Sequence, residues 1–434
     1  MTAHQPVARR RFLKTAAAAI AAPALVPTAA LGRDGQPPSE TVAMGFIGLG
    51  GHGIGRNLRG FLGNSDNRIV ALCDCDANNL ARGHKTAVGF LKGAKRTAEA
   101  DAIFQTPDWR RIIDRPDVEA VMISTPDHWH CLMSVTAIKA GKDVQCEKPP
   151  YNIYEGRVLA DTVARHRAVF QTSTEDRSVG VYHRLAELVR NGRIGKLQRI
   201  LVTLPQSPNN PGDPTPKPVP KNLDWDMWLG PAPWSPYCPG RVHFMFRYVA
   251  DTGTGILTDW GAHLIDTAQW ANDTEHTGPI SVEGTGTRHA TGLYDTFYKY
   301  DLTYHYKSGV VLHIKSGGTG IRFEGTDGWL ESPSWCARIR ASNPDIVAEP
   351  IPPGGIHLFL GHGEHRNFLD CVKSREDPYF PAEIGHRCCT VLHLGNICME
   401  LKRKLNWDPG AERFLGDDAA DRLTNRAMRE PWSL

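Results

Sequence analysis

Three side chains of this 434-residue sequence have the types needed to move a proton to and from an oxygen atom. Lys148 stands between Glu147 and Pro149, and the proline favours an extended backbone at the lysine. Asp259 and His263 are four residues apart, so on a helix they share one face. A fixed ammonium group can stabilise a developing alkoxide, and an imidazole can accept the hydroxyl proton. We therefore predict Lys148 as the cation, His263 as the base and Asp259 as the group that tunes His263. The alternatives are a surface lysine and a structural His–Asp pair.

A glycine-rich turn follows the first buried strand that the sequence predicts. The apolar run 42–47 is typical of a parallel strand, and it leads into Gly48-Leu49-Gly50-Gly51-His52-Gly53. In such a turn the first glycine makes the bend, the second lets the backbone approach a pyrophosphate, and the third lets strand and helix pack closely. The phosphates rest on the N-terminus of the following helix. The turn therefore predicts a dinucleotide site.

The next predicted strand, 68–73, supplies an acidic residue for the same site. It ends at Asp74, roughly 20 residues beyond the turn, where a carboxylate holds the ribose hydroxyls of NAD. Asp74 and Asp76 would repel a 2′-phosphate, which favours NAD. Arg82 and Lys85 lie close in sequence and keep NADP as an alternative.

Two more predicted strands end in polar motifs. The strand 118–124 leads into Thr125-Pro126-Asp127-His128-Trp129-His130, and the strand 143–146 leads into Glu147-Lys148. Ligands of open parallel sheets lie just outside the carboxyl ends of the strands. The predicted cofactor-binding residues are Gly48, Gly50, Gly51, His52, Gly53, Asp74, Thr125, Pro126, His130, Glu147 and Lys148. A metal bound by His128 and His130 is the alternative, but no third ligand follows at a suitable spacing, so we predict no metal.

Four ordered motifs resemble those of the Gfo/Idh/MocA oxidoreductases, a family named for glucose–fructose oxidoreductase and inositol dehydrogenase. They are the glycine turn, Thr-Pro-Asp-x-x-His, Glu-Lys-Pro, and Asp259-x-Gly261-x-His263-x-x-Asp266, and the similarity extends from about Val42 to the C-terminus. The resemblance implies that Lys148 is the catalytic lysine and that Asp259 and His263 are the acid/base pair. It also suggests that Arg177, in Asp176-Arg177-Ser178, binds substrate.

The resemblance implies a two-domain α/β architecture. Residues 40–165 would form a Rossmann domain with a doubly wound parallel sheet. Residues 166–434 would form an α/β domain for substrate binding and oligomerisation, with a large, open, mostly antiparallel sheet. In the family that sheet commonly makes a homodimer or homotetramer contact.

The second half carries its own strand and helix patterns. Alternation at 298–306, a Ser308-Gly309 turn and the apolar run 310–314 predict an antiparallel hairpin. Apolar residues at helical spacing follow Glu364 and Glu383. In the family, late helices of this kind pack back near the first domain.

A proline-rich stretch, 205–239, predicts a long ordered loop, since proline suits neither a helix interior nor a central strand. Such loops are often lids or binding walls. Trp225, Trp228 and Trp234 could stack on a sugar ring, and we predict Trp228 as a substrate contact. The alternative is that these tryptophans pin the loop to the body of the protein.

The N-terminus predicts export. Residues 1–35 combine Arg9-Arg10-Arg11-Phe12-Leu13-Lys14, an apolar stretch and Thr28-Ala29-Ala30, and they resemble a twin-arginine signal peptide. The apolar stretch is too short to span a membrane, and we expect a periplasmic mature chain without a membrane span. A net charge of +3 implies neither a nucleic-acid nor an anionic-membrane surface. The ten cysteines form no scaffold pattern, and we expect most of them to be buried and reduced.

Together these features predict hydride transfer between NAD and a secondary alcohol of a sugar, polyol or glycoside. Because free NAD is not expected outside the cytoplasm, we expect the cofactor to stay bound. One alternative is an NAD-dependent glycosidase or lyase that oxidises the sugar transiently, eliminates a substituent and reduces the product again. Another is a non-catalytic sugar-sensing protein, against which the presence of both Lys148 and His263 argues.

Overall fold

Two β-sheets organise residues 40–434, which are the residues that this computed structural model describes. The first is a six-stranded, wholly parallel sheet in the order β3-β2-β1-β4-β5-β6. Its strands are β1 Val42–Ile47, β2 Asn67–Cys73, β3 Phe104–Thr106, β4 Ala120–Ile123, β5 Asp143–Glu147 and β6 Phe170–Ser173. This is the doubly wound Rossmann order, as expected. The sheet continues to Ser173, beyond residue 165 where the sequence analysis ends the first domain. The predicted signal at 1–35 lies outside the described residues.

Helices on both faces connect the parallel strands. The glycine turn leads directly into a π-helical segment, Gly53–Leu58. The α-helices that follow are α1 Arg59–Leu62, α2 Ala77–Gly93, α3 Thr97–Asp101, α4 Arg110–Ile113, α5 Asp127–Lys139 and α6 Ile153–His166. The strands are buried nearly throughout because helices cover both faces of the sheet.

The second sheet has nine strands in the order β13-β12-β11-β7-β10-β9-β8-β14-β15. The strands are β7 Leu197–Leu204, β8 Ser281–Thr287, β9 Lys299–His305, β10 Val311–Ser316, β11 Ile321–Gly325, β12 Trp329–Ser332, β13 Arg340–Ala341, β14 Leu405–Asp408 and β15 Arg413–Phe414. Every pairing is antiparallel except that of β7 with β10. The predicted hairpin is confirmed as β9 and β10. The fold class expected from the resemblance is therefore correct.

Helices cover one face of this second sheet. The remaining α-helices are α7 Gly180–Arg190, α8 Trp225–Leu229, α9 Ile256–Asp259, α10 Gly261–Ala271, α11 Asp345–Ala348, α12 Glu364–Ser374, α13 Ala382–Leu401 and α14 Asp418–Asp421. Along β9, Tyr300, Leu302 and Tyr304 are buried in one core cluster with residues of α7, α10 and α13. Lys299 and Asp301 alternate with them on the opposite, exposed face.

Helix α12 lies in the first domain, although it comes late in the chain. Phe368 and Leu369 are fully buried in the cluster of Phe46, Phe61 and Met44. The Phe61 and Phe368 rings meet edge to face, with centroids 6.1 Å apart. The segment between β13 and β14 of the second sheet thus contributes to the core around the glycine turn.

The proline-rich stretch is irregular except for α8, as expected. All ten cysteines are free thiols, and eight of them are buried. Among the described residues, no helix is both long and apolar enough to cross a membrane.

Arg177 occupies a structural position, which corrects its prediction as a substrate contact. Its guanidinium forms two hydrogen bonds to the Asp266 carboxylate, of 2.8 and 2.6 Å, and lies 2.6 Å from a Glu275 oxygen. It also stacks over the rings of Trp270 and Phe380. With 4 % of its surface exposed, Arg177 neutralises two carboxylates inside the second domain. It is not among the residues that line the cavity described below.

We expect Arg177→Met to destabilise the protein by about 3–5 kcal/mol, because it leaves the buried Asp266 carboxylate without a cation. The matched control is Arg199→Met, which breaks an exposed ion pair with Glu324 and should cost less than about 1 kcal/mol. The measurement is the urea unfolding midpoint of each variant at neutral pH. Equal small losses from both variants would contradict the structural role of Arg177.

Candidate active site

A cavity of about 1110 Å³ lies at the carboxyl ends of β1, β2, β4 and β5, between the two domains. Residues from the second domain close it from the other side, among them Arg247, Asp259, Trp260 and His263. All predicted cofactor-binding residues line it: Gly48, Gly50, Gly51, His52, Gly53, Asp74, Thr125, Pro126, His130, Glu147 and Lys148. The structure therefore brings together residues separated by up to a hundred positions in the first domain.

The glycine turn has the geometry that a bound pyrophosphate requires. Gly48 has φ +89°, a conformation that favours glycine, and a Cβ at Gly53 would collide with the Gly48 carbonyl oxygen. A Cβ at Gly50 or Gly51 would meet no protein atom within 4 Å, so the backbone there is open to a ligand. The buried hydroxyl of Thr125, across the turn, has no hydrogen-bond partner among residues 40–434. These residues fit the phosphates of a dinucleotide.

Asp74 is fixed at the end of β2 by backbone donors. The Leu49 N–H donates to one carboxylate oxygen at 2.7 Å, and the Asp76 N–H donates to the other at 2.8 Å. Burial raises the pKa of Asp74 to about 6, although these hydrogen bonds oppose the shift. The carboxylate lines the cavity beside the glycine turn, where a ribose hydroxyl can donate to it.

Lys148 follows strand β5 of the first domain and pairs with Asp259 of the second domain. Its Nζ donates to the Asp259 carbonyl oxygen at 2.6 Å and to Oδ1 at 3.2 Å. Arg247 Nε lies 3.1 Å from the other carboxylate oxygen. Burial opposes the lysine charge, but the Asp259 and Glu147 carboxylates outweigh it and raise the pKa of Lys148. Burial likewise opposes ionisation of Asp259, yet the two cations lower its pKa to about 2. Lys148 is thus held as an ammonium group.

His263 takes its carboxylate from a different residue than predicted. Its Nδ1 lies 2.8 Å from Asp176 Oδ2, in the short helical turn Asp176–Ser178. Asp259 is instead committed to Lys148 and Arg247. Although Asp259 and His263 are four residues apart, Trp260 separates helix α9 from helix α10 between them. The prediction that Asp259 orients His263 was therefore wrong, and Asp176 has this position.

A second carboxylate and an arginine complete the surroundings of His263. Glu175 Oε2 lies 3.8 Å from His263 Nδ1 and 3.0 Å from Arg56 Nη2. Glu175, Asp176 and His263 present ligand atoms within 4.8 Å of one another, which a metal ion could use. Arg56 already brings a positive charge to Glu175 and also pairs with Glu364 at 2.8 Å. Despite burial, His263 and Arg56 lower the pKa of Glu175.

Glu147 links the catalytic lysine to the glycine turn. It lies 3.1 Å from His52 Nε2 and accepts a hydrogen bond of 2.8 Å from Asn57. The hydrogen bond between His52 and Glu147 raises the pKa of His52 above its ordinary value despite partial burial. Burial opposes ionisation of Glu147, but His52 and Lys148 lower its pKa.

Both histidines of the Thr-Pro-Asp-x-x-His motif form hydrogen bonds with backbone carbonyl oxygens. His130 lies between the carbonyl oxygens of Pro149 and Thr125, at 2.9 and 2.8 Å. His128 lies between those of Thr252 and Trp228, at 3.1 and 3.0 Å. Burial lowers the pKa of His128 to about 3, so it stays neutral. Their nitrogens are occupied by carbonyl oxygens rather than directed at a shared metal.

The tryptophans of the proline-rich stretch lie apart from His263. Trp225 and Trp228 stack with centroids 5.0 Å apart, in a buried cluster that packs on Cys75, beside Asp74. Trp228 does line the cavity, but at this ribose end. Trp234 is 67 % exposed and is not among the lining residues. The alternative that these tryptophans pin the loop to the body of the protein therefore applies to Trp225.

Besides Arg56 and Glu175, the sequence analysis missed four residues of the site. They are Asp176, Arg247, Trp260 and Trp335. The sequence analysis named the Asp176-Arg177-Ser178 stretch but predicted a role only for Arg177. Trp260 adjoins Asp259 in sequence, which is a local signal. Arg247 and Trp335 carry no spacing signal that relates them to Lys148 or His263.

The fold and this site define a two-domain, NAD-binding oxidoreductase with a lysine and a histidine facing one cofactor crevice. Family models agree: residues 42–174 match the NAD-binding Rossmann fold of the Gfo/Idh/MocA oxidoreductase family, and residues 212–434 match its C-terminal alpha/beta domain. The chain belongs to the Gfo/Idh/MocA oxidoreductase family. Membership of an oxidoreductase family argues against the non-catalytic alternative.

Individual relatives match over shorter stretches. A glycosyl hydrolase family 109 protein of Solibacter usitatus is 34 % identical over 26 % of this chain and 25 % of its own length. A levoglucosan dehydrogenase of Pseudarthrobacter phenanthrenivorans is 32 % identical over 38 % of this chain and 36 % of its own length. The matched stretches span less than half of these relatives. An aldose-aldose oxidoreductase of Caulobacter crescentus shares the fold, with TM-score 0.62 and 17 % identity over 84 % of this chain and 99 % of that one.

We expect Asp176→Asn to lower the dehydrogenase kcat by roughly 100-fold or more, with KM changed less than about threefold. The amide can still accept a hydrogen bond from His263, but it supplies no charge for the imidazolium that forms during proton transfer. Steady-state kinetics at saturating NAD would measure both constants. The control is Glu175→Gln, whose carboxylate is 3.8 Å away and whose loss should cost less. A larger effect on KM than on kcat would contradict the assignment.

Proposed function

We propose that this protein oxidises a secondary hydroxyl of a carbohydrate or polyol while NAD remains bound. The observation that carries the proposal is that Lys148 and His263 line the same cavity as the glycine turn. When bound there, NAD supplies the hydride acceptor. Two relatives, a levoglucosan dehydrogenase and an inositol 2-dehydrogenase, support a sugar or polyol as the substrate.

The chain's own groups divide the proton chemistry between them. Lys148, kept charged by Asp259, donates to the reacting oxygen and stabilises the alkoxide. With Nδ1 donating to Asp176, His263 keeps a lone pair on Nε2 and can take the hydroxyl proton there. Arg247 shares the Asp259 carboxylate and holds it in place. Oxidation would leave the hydroxyl proton on His263 and the developing oxygen charge beside Lys148, while NAD, if bound, would supply the hydride acceptor.

The proline-rich stretch supports retention of the cofactor. Its end forms a β-bridge between Leu223 and Asp76, and the Asn222 amide donates to the Asp76 carboxylate at 2.8 Å. Asp224 N–H donates to the Cys75 carbonyl oxygen at 3.0 Å. This segment crosses the turn after β2, at the ribose end of the cavity. A dinucleotide bound there would be covered by it along the adenosine half.

Export is part of the same proposal. The pattern at 1–35 supports transport by the twin-arginine route, which moves folded proteins, so NAD could travel inside the protein to the periplasm. The exposed, charged face of the nine-stranded sheet supports a homo-oligomer formed through that sheet.

We expect the protein from a periplasmic fraction to contain nearly one nicotinamide dinucleotide per chain after gel filtration. Trp228→Ala should lose most of it, because the indole closes the ribose end of the cavity. Trp234→Ala is the matched control, since the same residue type in the same loop is 67 % exposed and should leave occupancy unchanged. Mass spectrometry of the released dinucleotide measures the occupancy. Wild-type protein that contains no dinucleotide and does not bind added NAD would refute the proposal.

The second candidate is a redox-neutral glycosidase or lyase, favoured by the several relatives named glycosyl hydrolase family 109. In that reaction the oxidised carbon acidifies the neighbouring C–H, a base removes that proton, and the glycosidic substituent leaves with the electron pair. Water then adds to the double bond, and the hydride returns to the carbonyl carbon. In both candidates Lys148 and His263 take part in the same first step, the oxidation of the hydroxyl group.

Products distinguish the two candidates. Supplied with a carbonyl compound that reoxidises the bound NADH, the as-purified enzyme should convert a glycoside or polyol to a product that lacks two hydrogen atoms, as seen by mass spectrometry. A released aglycone without net NADH would favour the second candidate instead. Lys148→Met should lower turnover by about 10²–10³-fold in either case, because the alkoxide loses its cation. Unchanged turnover in this variant would contradict both.

A further inference from the structure

Two tryptophans that no sequence pattern relates to each other form one wall beside His263. Trp335 contacts the imidazole edge to face, with ring centroids 5.0 Å apart and an interplanar angle of 78°. Trp260 lies 5.3 Å from Trp335 and 6.1 Å from His263 by the same measure. Both indoles are partly exposed and line the cavity. We call these two side chains the indole wall.

The turn that carries Trp335 is held rigidly from several sides. The Trp335 N–H donates to the Thr319 hydroxyl at 3.1 Å, and the Cys336 N–H donates to the buried Tyr182 hydroxyl at 2.9 Å. The Ser332 hydroxyl lies within 3.0 Å of two carbonyl oxygens of the same turn. Cys336 has φ +53°, so the backbone reverses sharply just after the indole. The position of the indole is therefore set before any ligand binds.

The cations at this end of the cavity are already neutralised. Lys148 and Arg247 lie 3.2 and 3.1 Å from the Asp259 oxygens, and Arg56 lies 3.0 Å from Glu175. Among the described residues, the only other arginine that lines the cavity is near the ribose end. A carboxylate or phosphate on the substrate would find no cation without a partner. A neutral, hydroxyl-rich molecule can exchange hydrogen bonds with these pairs without breaking them.

We propose that the indole wall binds the C–H face of a neutral sugar ring, and that Trp335 selects cyclic, uncharged sugars over acidic sugars and acyclic polyols. The inference rests on the proposed function and assigns the substrate class of that site. A pyranose carries its hydroxyls at the rim and exposes C–H groups on its faces, so an indole can cover one face while a rim hydroxyl reaches Lys148 and His263. An acyclic polyol has no fixed face, and an acidic sugar brings an unpaired charge.

Three probes of similar size test this selection: methyl β-D-glucopyranoside, methyl β-D-glucuronide and sorbitol. With the holoenzyme and a carbonyl acceptor that reoxidises the bound NADH, kcat/KM for the neutral ring should exceed the values for the other two by roughly tenfold or more. Trp335→Ala should raise KM for the neutral ring by roughly tenfold and change kcat less than about threefold. Trp335→Phe keeps an aromatic face and should recover most of the affinity.

The matched control is Trp329→Ala on β12, where the indole lies under the Arg322 guanidinium and is not among the lining residues. Its KM should equal that of the wild type. Tryptophan fluorescence titrated with methyl β-D-glucopyranoside gives a binding constant that does not depend on turnover, and thermal unfolding confirms that each variant is folded. If the wild type acts on the probes but Trp335→Ala leaves KM unchanged, or the glucuronide is used as well as the neutral ring, the inference is wrong and the proposed function stands. If the wild type acts neither on these probes nor on any member of a wider set of sugars and polyols, the proposed function itself fails.

Discussion

The ion pair of Lys148 and Asp259 is the contact on which the rest of the site depends. Lys148 follows β5 of the parallel sheet, whereas Asp259 ends helix α9 of the second domain, and each side chain is only about one-tenth exposed. Removing either partner would leave a buried charge without compensation, which is far more costly than losing a surface pair. The pair therefore does two things at once: it closes the second domain over the cofactor crevice, and it keeps the lysine charged where an alkoxide would develop.

Because Asp259 is committed to Lys148 and Arg247, another carboxylate is needed for His263, and Asp176 supplies it. The site thus contains two separate charge groups, one around the lysine and one around the histidine. This separation has a chemical advantage. A single carboxylate shared by an ammonium group and an imidazole would stabilise the protonated imidazole less well, because the lysine would already offset most of the carboxylate charge. With its own carboxylate, His263 can gain a proton while Lys148 retains one.

The sequence was sufficient for the parts of the molecule that local rules govern. The parallel sheet follows from short apolar strands, the crevice from the glycine turn, and the position of Lys148 from the polar motif after β5. The partner of His263 was not predictable in this way, because a spacing of four residues does not show which group each side chain contacts, and Asp259 pairs with Lys148 and Arg247 instead. The position of Arg177 also depended on tertiary structure, since only the fold shows that Asp266 and Glu275 both face it. Contacts between residues 87 or more positions apart have no signature in a single sequence.

The aromatic residues show the same limit and also explain how one cavity can hold two ligands. The proline-rich stretch predicted a binding wall, but Trp225 and Trp228 belong to a cluster that packs on Cys75 at the ribose end, whereas Trp335, from the turn after β12, reaches His263. Each end has a wall from a different segment of the second domain, so tight binding of the cofactor does not require tight binding of the substrate. An enzyme that retains its dinucleotide must still exchange sugars quickly. An apolar face in a site whose charges are already paired suits that need, because a neutral ring can leave without separating an ion pair.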